Sequence, residues 1–290
     1  MNNDVLNLNR FGRYLVTDIK NAISKYGITL LVMTTLSVTG YLIAGLFSTV
    51  IGSGWHSLST MERSVLFGIS MAVVLISSPA RIYGFITDKK EGSSYLTVPV
   101  SSLEKTISMV IVCCIVVPFV FFAVYFSFDQ IICLLDRNCG QSILYVLNEG
   151  RDGLLKVFTD MNMGIDFELM PDLTAVAGPW LYMDDMAQAS LTFLLGALLF
   201  KSSKPAKTIG CMILISIVLS MITIPVVTNG AVEKFKMAAE LGMTPQEIIE
   251  EFPVLSWMVK HATLVDTISD TIVNVGLFLL IWLRVKRIKH

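Results

Sequence analysis

Four carboxylates are the residues of this chain best placed to do chemistry in a low-dielectric setting. Asp266 and Asp270 stand one helical turn apart on one face, near the start of the apolar stretch that closes the sequence. Asp184 and Asp185 form a second pair at the mouth of another apolar stretch. If the last stretch spans a membrane and ends at Leu283, Asp270 lies ~9 Å inside its outer edge at 1.5 Å per residue. Ionisable groups at that depth normally face a cavity or a partner rather than lipid. The four would then ring an outer vestibule on a translocation path. The alternative is that these helices begin a turn later and leave the four carboxylates solvated.

Other catalytic constellations are missing from the sequence. There is no G-x-x-x-x-G-K-[ST] loop to cradle phosphates, so ATP hydrolysis by that mechanism would have to come from another chain. No Gly-x-Ser-x-Gly, His-Glu-x-x-His or paired intramembrane Asp motif occurs. Glu250-Glu251 lacks the companion arginine of paired-glutamate membrane proteases, because Leu255 stands at that position. His56 and His261 are far apart, and His290 is the last residue. No catalytic residue, metal site or cofactor is expected. Cys113, Cys114 and Cys211 lie in apolar runs and read as small hydrophobes. Cys133 and Cys139, six positions apart in a polar loop, could form a disulfide if that loop faces an oxidising compartment.

The elements that would position these groups follow from hydropathy. The chain has 290 residues, 54% hydrophobic and only 16% charged, with a mean hydropathy of +0.68. Soluble domains carry about 25% charged residues, so the expected fold class is all-α and polytopic, with lipid as the main partner of its surface. Six spans are expected at about 28–51, 64–80, 106–128, 180–200, 208–228 and 264–283, each close to the ~20 residues that cross a bilayer. Pro118 should kink the third by removing a backbone donor. The segment 1–26 reads as a cytoplasmic N-terminus: Phe11, Leu15, Ile19, Ala22, Ile23 and Tyr26 recur at helical spacing opposite a basic face. That is an amphipathic helix suited to the headgroup layer. Residues 27–290 form the transmembrane domain. The beginning of the chain shows no short apolar core followed by a small-residue cleavage site, so the first span is expected to direct insertion. A long loop, 129–178, should cap the outer surface. Residues 231–252 read as two short helices, the second opened by Thr244-Pro245-Gln246-Glu247. They would form an outer hairpin before the last span.

Lys and Arg resist translocation, so their distribution sets orientation. Of 22, 15 fall in the N-terminus, the segment 81–105, the turn 201–207 and the tail. Both termini are therefore expected in the cytoplasm, in a cell (inner) membrane. The segment 81–105 is the one long polar stretch on that side. Ser101 and Glu104 have capping-box spacing, starting the helix of the third span beside Lys105. Asp88, Lys89, Lys90 and Glu91 alternate in sign beside Tyr83, Phe85 and Tyr95. Charges and aromatics share the work of protein interfaces in this way, whereas a solvated loop is the plainer reading.

Three stretches carry a family resemblance: RFGRYLVTDIKNA before the first span, YLTVPVSSLEKTIS entering the third, and FLLGALLFKSSKPAKTI joining the fourth and fifth. They resemble the permease subunits of bacterial type-2 ABC exporters, in which an LP-[AV]-S-x-x-EK element sits in the hinge. Here it is Val98-Pro99-Val100-Ser101-Ser102-Leu103-Glu104-Lys105, with valine for the usual leucine. The resemblance implies a permease that forms a homodimer or heterodimer and docks on a separate ABC ATPase subunit. The N-terminal helix would be an elbow and 81–105 the coupling element, and the outer hairpin would line or gate the exit. A non-transporting membrane scaffold with an outer partner-binding cap is the reading from a different class. Neither implies nucleic acid as a partner.

Overall fold

Asn7 starts the first helix by accepting the N–H groups of Asn9 and Arg10 on its side-chain oxygen, which satisfies two of the donors a helix start leaves open. From there the computed structural model describes residues 7–87, 92–145, 179–227 and 262–288. They are helical, with no strand among them. In order they form α1 (Leu8–Thr34), α2 (Leu36–Ile51), α3 (Thr60–Tyr83), a 3-10 turn (Gly84–Thr87), α4 (Gly92–Thr97) and α5 (Ser102–Val110). A π-helical segment (Ile111–Val116) leads into α6 (Val117–Leu135), a 3-10 turn (Arg137–Cys139), α7 (Pro179–Leu199), α8 (Lys204–Val227) and α9 (Ala262–Arg287).

Both capping boxes that bound the polar segments are formed. At the start of α3, Ser59 accepts the N–H of Glu62 while Glu62 accepts that of Ser59. At the start of α5, Ser101 and Glu104 do the same. The amphipathic N-terminal segment differs from expectation. It does not end at residue 26: α1 continues to Thr34, and the only interruption before α2 is one turn at Thr35. No glycine or proline near position 26 forces a stop, since Gly27 has room within the helix. The disturbance expected at Pro118 lies just ahead of it. The segment Ile111–Val116 widens to a π turn, with the Val117 N–H reaching back to the Val112 carbonyl. Proline has no N–H to donate backward, so the preceding turn rearranges.

Among the described residues, five helical stretches are long and apolar enough to cross a membrane: Leu8–Ile51, Thr60–Thr87, Ser102–Leu135, Lys204–Met221 and Thr267–Arg287. The expected span 180–200 corresponds to α7, a 21-residue helix that carries Asp184 and Asp185 in its second turn. Residues 146–178 and the hairpin 231–252 lie outside the described residues. The interior is a single apolar cluster built from α1, α3, the α5–α6 rod, α7 and α9. Val74, Met109, Phe121, Leu194 and Ile281 are completely buried there. Phe67 of α3 packs among Phe121, Phe122, Tyr125 and Phe126, ring centres 5.2–6.0 Å away. The side chain of Thr208 presses on Gly196 so closely that any Cβ there would collide, so glycine lets α8 lie against α7. By contrast every residue of α8 from 209 to 221 is exposed, although nearly all are apolar. An all-round apolar helix of this kind suits a lipid solvent.

Two bonds fix the direction of the rods. The Lys204 ammonium donates to the Gly84 carbonyl, and the Arg284 Nε donates to the Leu198 carbonyl at 3.1 Å. The C-terminal ends of α3, α7 and α9 therefore gather at the end where α5 begins. This is the hinge end.

Candidate functional site

The hinge end is organised by one carboxylate. Glu104 sits in the first turn of α5 and is completely buried. Its Oε1 accepts the Asn7 N–H at 2.8 Å and the Arg10 Nη2 at 2.9 Å. Its Oε2 accepts the Arg10 Nε at 3.0 Å and the Ser101 N–H at 3.0 Å. The glutamate that closes the capping box of α5 thus also holds the start of α1 through a two-pronged guanidinium. Such paired bonds are among the stronger polar contacts a protein makes. The neighbouring Lys105 turns inward, donates to the Tyr95 carbonyl at 2.8 Å and lies over the Tyr95 ring. That ties α4 to α5.

A second buried carboxylate continues the seam. Asp18 of α1 accepts the Tyr83 hydroxyl at 2.8 Å and the Ser108 hydroxyl at 2.6 Å, so one side chain joins α1, α3 and α5. Farther along α1, the Lys25 ammonium stands 3.3 Å above the Phe85 ring, and the Tyr26 hydroxyl meets that of Ser77 at 2.6 Å. Between α1 and the hinge lies an open cavity of about 760 Å³, bounded by Arg10, Arg13, Tyr14, Asp18, Lys25, Tyr83, Phe85, Tyr95 and the Val98-Pro99-Val100 strip.

Much of the expected coupling set is thereby accounted for inside the chain. Tyr83, Tyr95, Ser101, Glu104 and Lys105 are buried, and Phe85 is half-buried under Lys25. In this conformation these six form the seat of α1 and do not offer their side chains to a soluble partner. The Tyr83 hydroxyl is held by Asp18, Glu104 by Asn7, Arg10 and Ser101, and the Lys105 ammonium by the Tyr95 carbonyl. Asp88, Lys89, Lys90 and Glu91 lie outside the described residues.

The opposite end holds a cluster that composition did not announce. Arg63, at the start of α3, is completely buried. It donates Nη1 to the Asp129 Oδ1 and to the Cys133 sulfur, and Nη2 to the Cys139 and Gln141 carbonyls at 2.7 Å each. Asp129 also accepts the Ile143 N–H at 2.8 Å. Cys133 and Cys139 are free thiols here; the first meets this guanidinium through its sulfur and the second through its backbone carbonyl. Burial pushes the Cys139 thiol up to about 11 against the pull of Arg63. Beside them Asp136 accepts the hydroxyls of Ser57 and Tyr41 and the N–H of Asn138. Those donors lower it to about 2. The readable signal was a lone arginine and a lone aspartate at the facing ends of two consecutive spans.

The remaining carboxylates are related by register. Arg284 meets Leu198, and α7 and α9 run parallel. Asp270 and Asp184 each lie 14 positions back from that contact, ~21 Å along the axes at 1.5 Å per residue, so they stand level. Asp184 and Asp185 are exposed and Asp270 is half-buried. Asp266 lies one turn farther from the hinge in the same helix. The fold therefore carries the four to one end of adjacent helices, with Asp184, Asp185 and Asp270 about level and Asp266 one turn beyond.

No family model, curated protein or solved structure matches the chain.

Proposed function

We propose that this chain is the membrane-spanning permease subunit of an ATP-driven exporter of the type-2 ABC class. It would have six spans, both termini in the cytoplasm of an inner membrane, and a separate ATPase subunit as its motor. The observation that carries the reading is the Glu104 junction. A coupling element can transmit force only if it is rigidly joined to what it moves. Here the Pro99–Lys105 strip, the start of the long α5–α6 rod and the N-terminal helix are joined by charge-assisted bonds in a buried setting. The apolar helices supply the spans, and the sequence motifs of the hinge and elbow supply the class.

In this reading the motor presses on the segment around residues 88–91, and the seat of α1 moves with α3 and α5 as one body. The π turn ahead of Pro118, where regular backbone pairing is already broken, is the place where the α5–α6 rod flexes. The path opens between two permease copies, with the level carboxylates of α7 and α9 at its mouth.

The test is purification of the full chain from its native membrane, with identification of what accompanies it. An ATP-hydrolysing chain with a phosphate-cradling loop should come down with it. Replacing Asp88, Lys89 and Lys90 together by alanine should lower ATP-coupled efflux severalfold while membrane insertion stays intact. A chain that brings down no ATPase and supports no efflux would instead be a scaffold.

A further inference from the structure

The cavity between α1 and the hinge has a chemical character that the coupling role does not use. Arg13, Thr17 and Asn21 are spaced one turn apart along α1 and line it together with Asn9. The Arg13 guanidinium and the side-chain amides of Asn9 and Asn21 make no bond to any described residue. Asp18, the one carboxylate among the described residues of the lining, is already occupied by the hydroxyls of Tyr83 and Ser108. The cavity thus presents unspent donors and an excess of positive charge on one wall. The facing wall, Val98-Pro99-Val100, is apolar. A third feature adjoins them: Leu8, Val16 and Ile23 form an exposed apolar stripe on α1, 74%, 54% and 64% accessible. Val16 stands only ~60° around the helix from Arg13, at 100° per residue.

We infer that this cavity binds an anionic phosphate ester, the headgroup of an acidic phospholipid. The phosphate lies against Arg13 and the Asn9 amide, one turn apart on α1, the glycerol against the Val98–Val100 wall, and the acyl chains along the Leu8–Val16–Ile23 stripe. The chemistry is that of guanidinium and amide donors gripping phosphate oxygens, in a leaflet whose acidic lipids attract basic segments. This rests on the membrane reading but not on the ATPase, since binding is measured on the chain alone.

The full chain, purified in neutral detergent, is titrated with short-chain phosphatidylglycerol, short-chain phosphatidylcholine and inorganic phosphate, and bound species are counted by native mass spectrometry. Phosphatidylglycerol should bind roughly tenfold more tightly than phosphatidylcholine, and Arg13→Ala should weaken it about tenfold, as the loss of a charge-assisted contact does. Lys201→Ala, an exposed cation in the turn between α7 and α8, should leave binding unchanged. Arg13 is exposed, so the variant should unfold at the same temperature as the parent, which separates lost binding from lost fold. Equal affinity for the two lipids, or indifference to Arg13→Ala, would overturn the site. Inorganic phosphate binding as tightly as the lipid, with the same dependence on Arg13, would overturn the lipid in favour of the free ion. Displacement of the lipid by a soluble partner that cross-links to position 13 would give the cavity to protein docking instead.

Discussion

Arg63 and Asp129 show what a single pair of side chains does when both are taken out of water. Each is completely or almost completely inaccessible, so removing one strands the other. Asp129→Ala should therefore destabilise the protein by about 3–5 kcal/mol, read as a large drop in the unfolding temperature in detergent. Changing both to apolar residues of similar size should cost much less. Asp136 makes the opposite case, a carboxylate near solvent whose donors act on its acidity. Its folded value, about 2, lies below the usual value near 3.9 for an unfolded aspartate. The stabilisation it brings is complete at pH 5 and above, and disappears as pH falls from about 4 through 2. A scan of unfolding temperature over that window should show a step that Asp136→Asn lacks. Little of this was legible in advance. Side-chain pairs between segments 66 residues apart leave no periodic trace, whereas the Ser101–Glu104 capping box, local in sequence, could be read directly.

Among the elements, α1 runs past the boundary expected at residue 26 and continues to Thr34. Its apolar spacing suggested a helix lying on the headgroup layer, but spacing alone does not say which solvent the apolar face meets. Asp18, Ala22 and Tyr26, one turn apart, are all buried, so the buried line runs through a carboxylate that hydropathy would assign to water. Two hydroxyls from α3 and α5 make that burial tolerable, and only the assembled fold brings them there. The Glu104 junction is the matching test at this scale. Glu104→Gln removes the charge that grips Arg10 and leaves an acceptor oxygen for only one of the Asn7 and Ser101 N–H groups, and should cost about 1–3 kcal/mol. Arg10→Gln should cost a similar amount. The double change should cost clearly less than the two added together, because the pair is in direct contact. Strict additivity would mean that α1 and α5 are not joined through this bond.

At the scale of the whole molecule, hydropathy and charge bias account for most of what can be recognised: an all-helical chain with several rods long enough to cross a bilayer. The polar segment 81–105 was also legible as a feature apart. Its inward use was not, because alternating charges and aromatics look alike whether they await a partner or have found one within the chain. The parallel pair α7 and α9 has a mechanical meaning. At the hinge end Arg284 ties the two rods together through the Leu198 carbonyl, and Lys204 ties the adjoining start of α8 to Gly84, while the acidic ends of α7 and α9 stand ~21 Å away along the axis. The two rods are cantilevers. In the permease reading proposed above, a tilt of ~5° at the hinge end would sweep the far end sideways by ~2 Å over that length, enough to widen a passage by the radius of a water molecule without breaking a bond at the root.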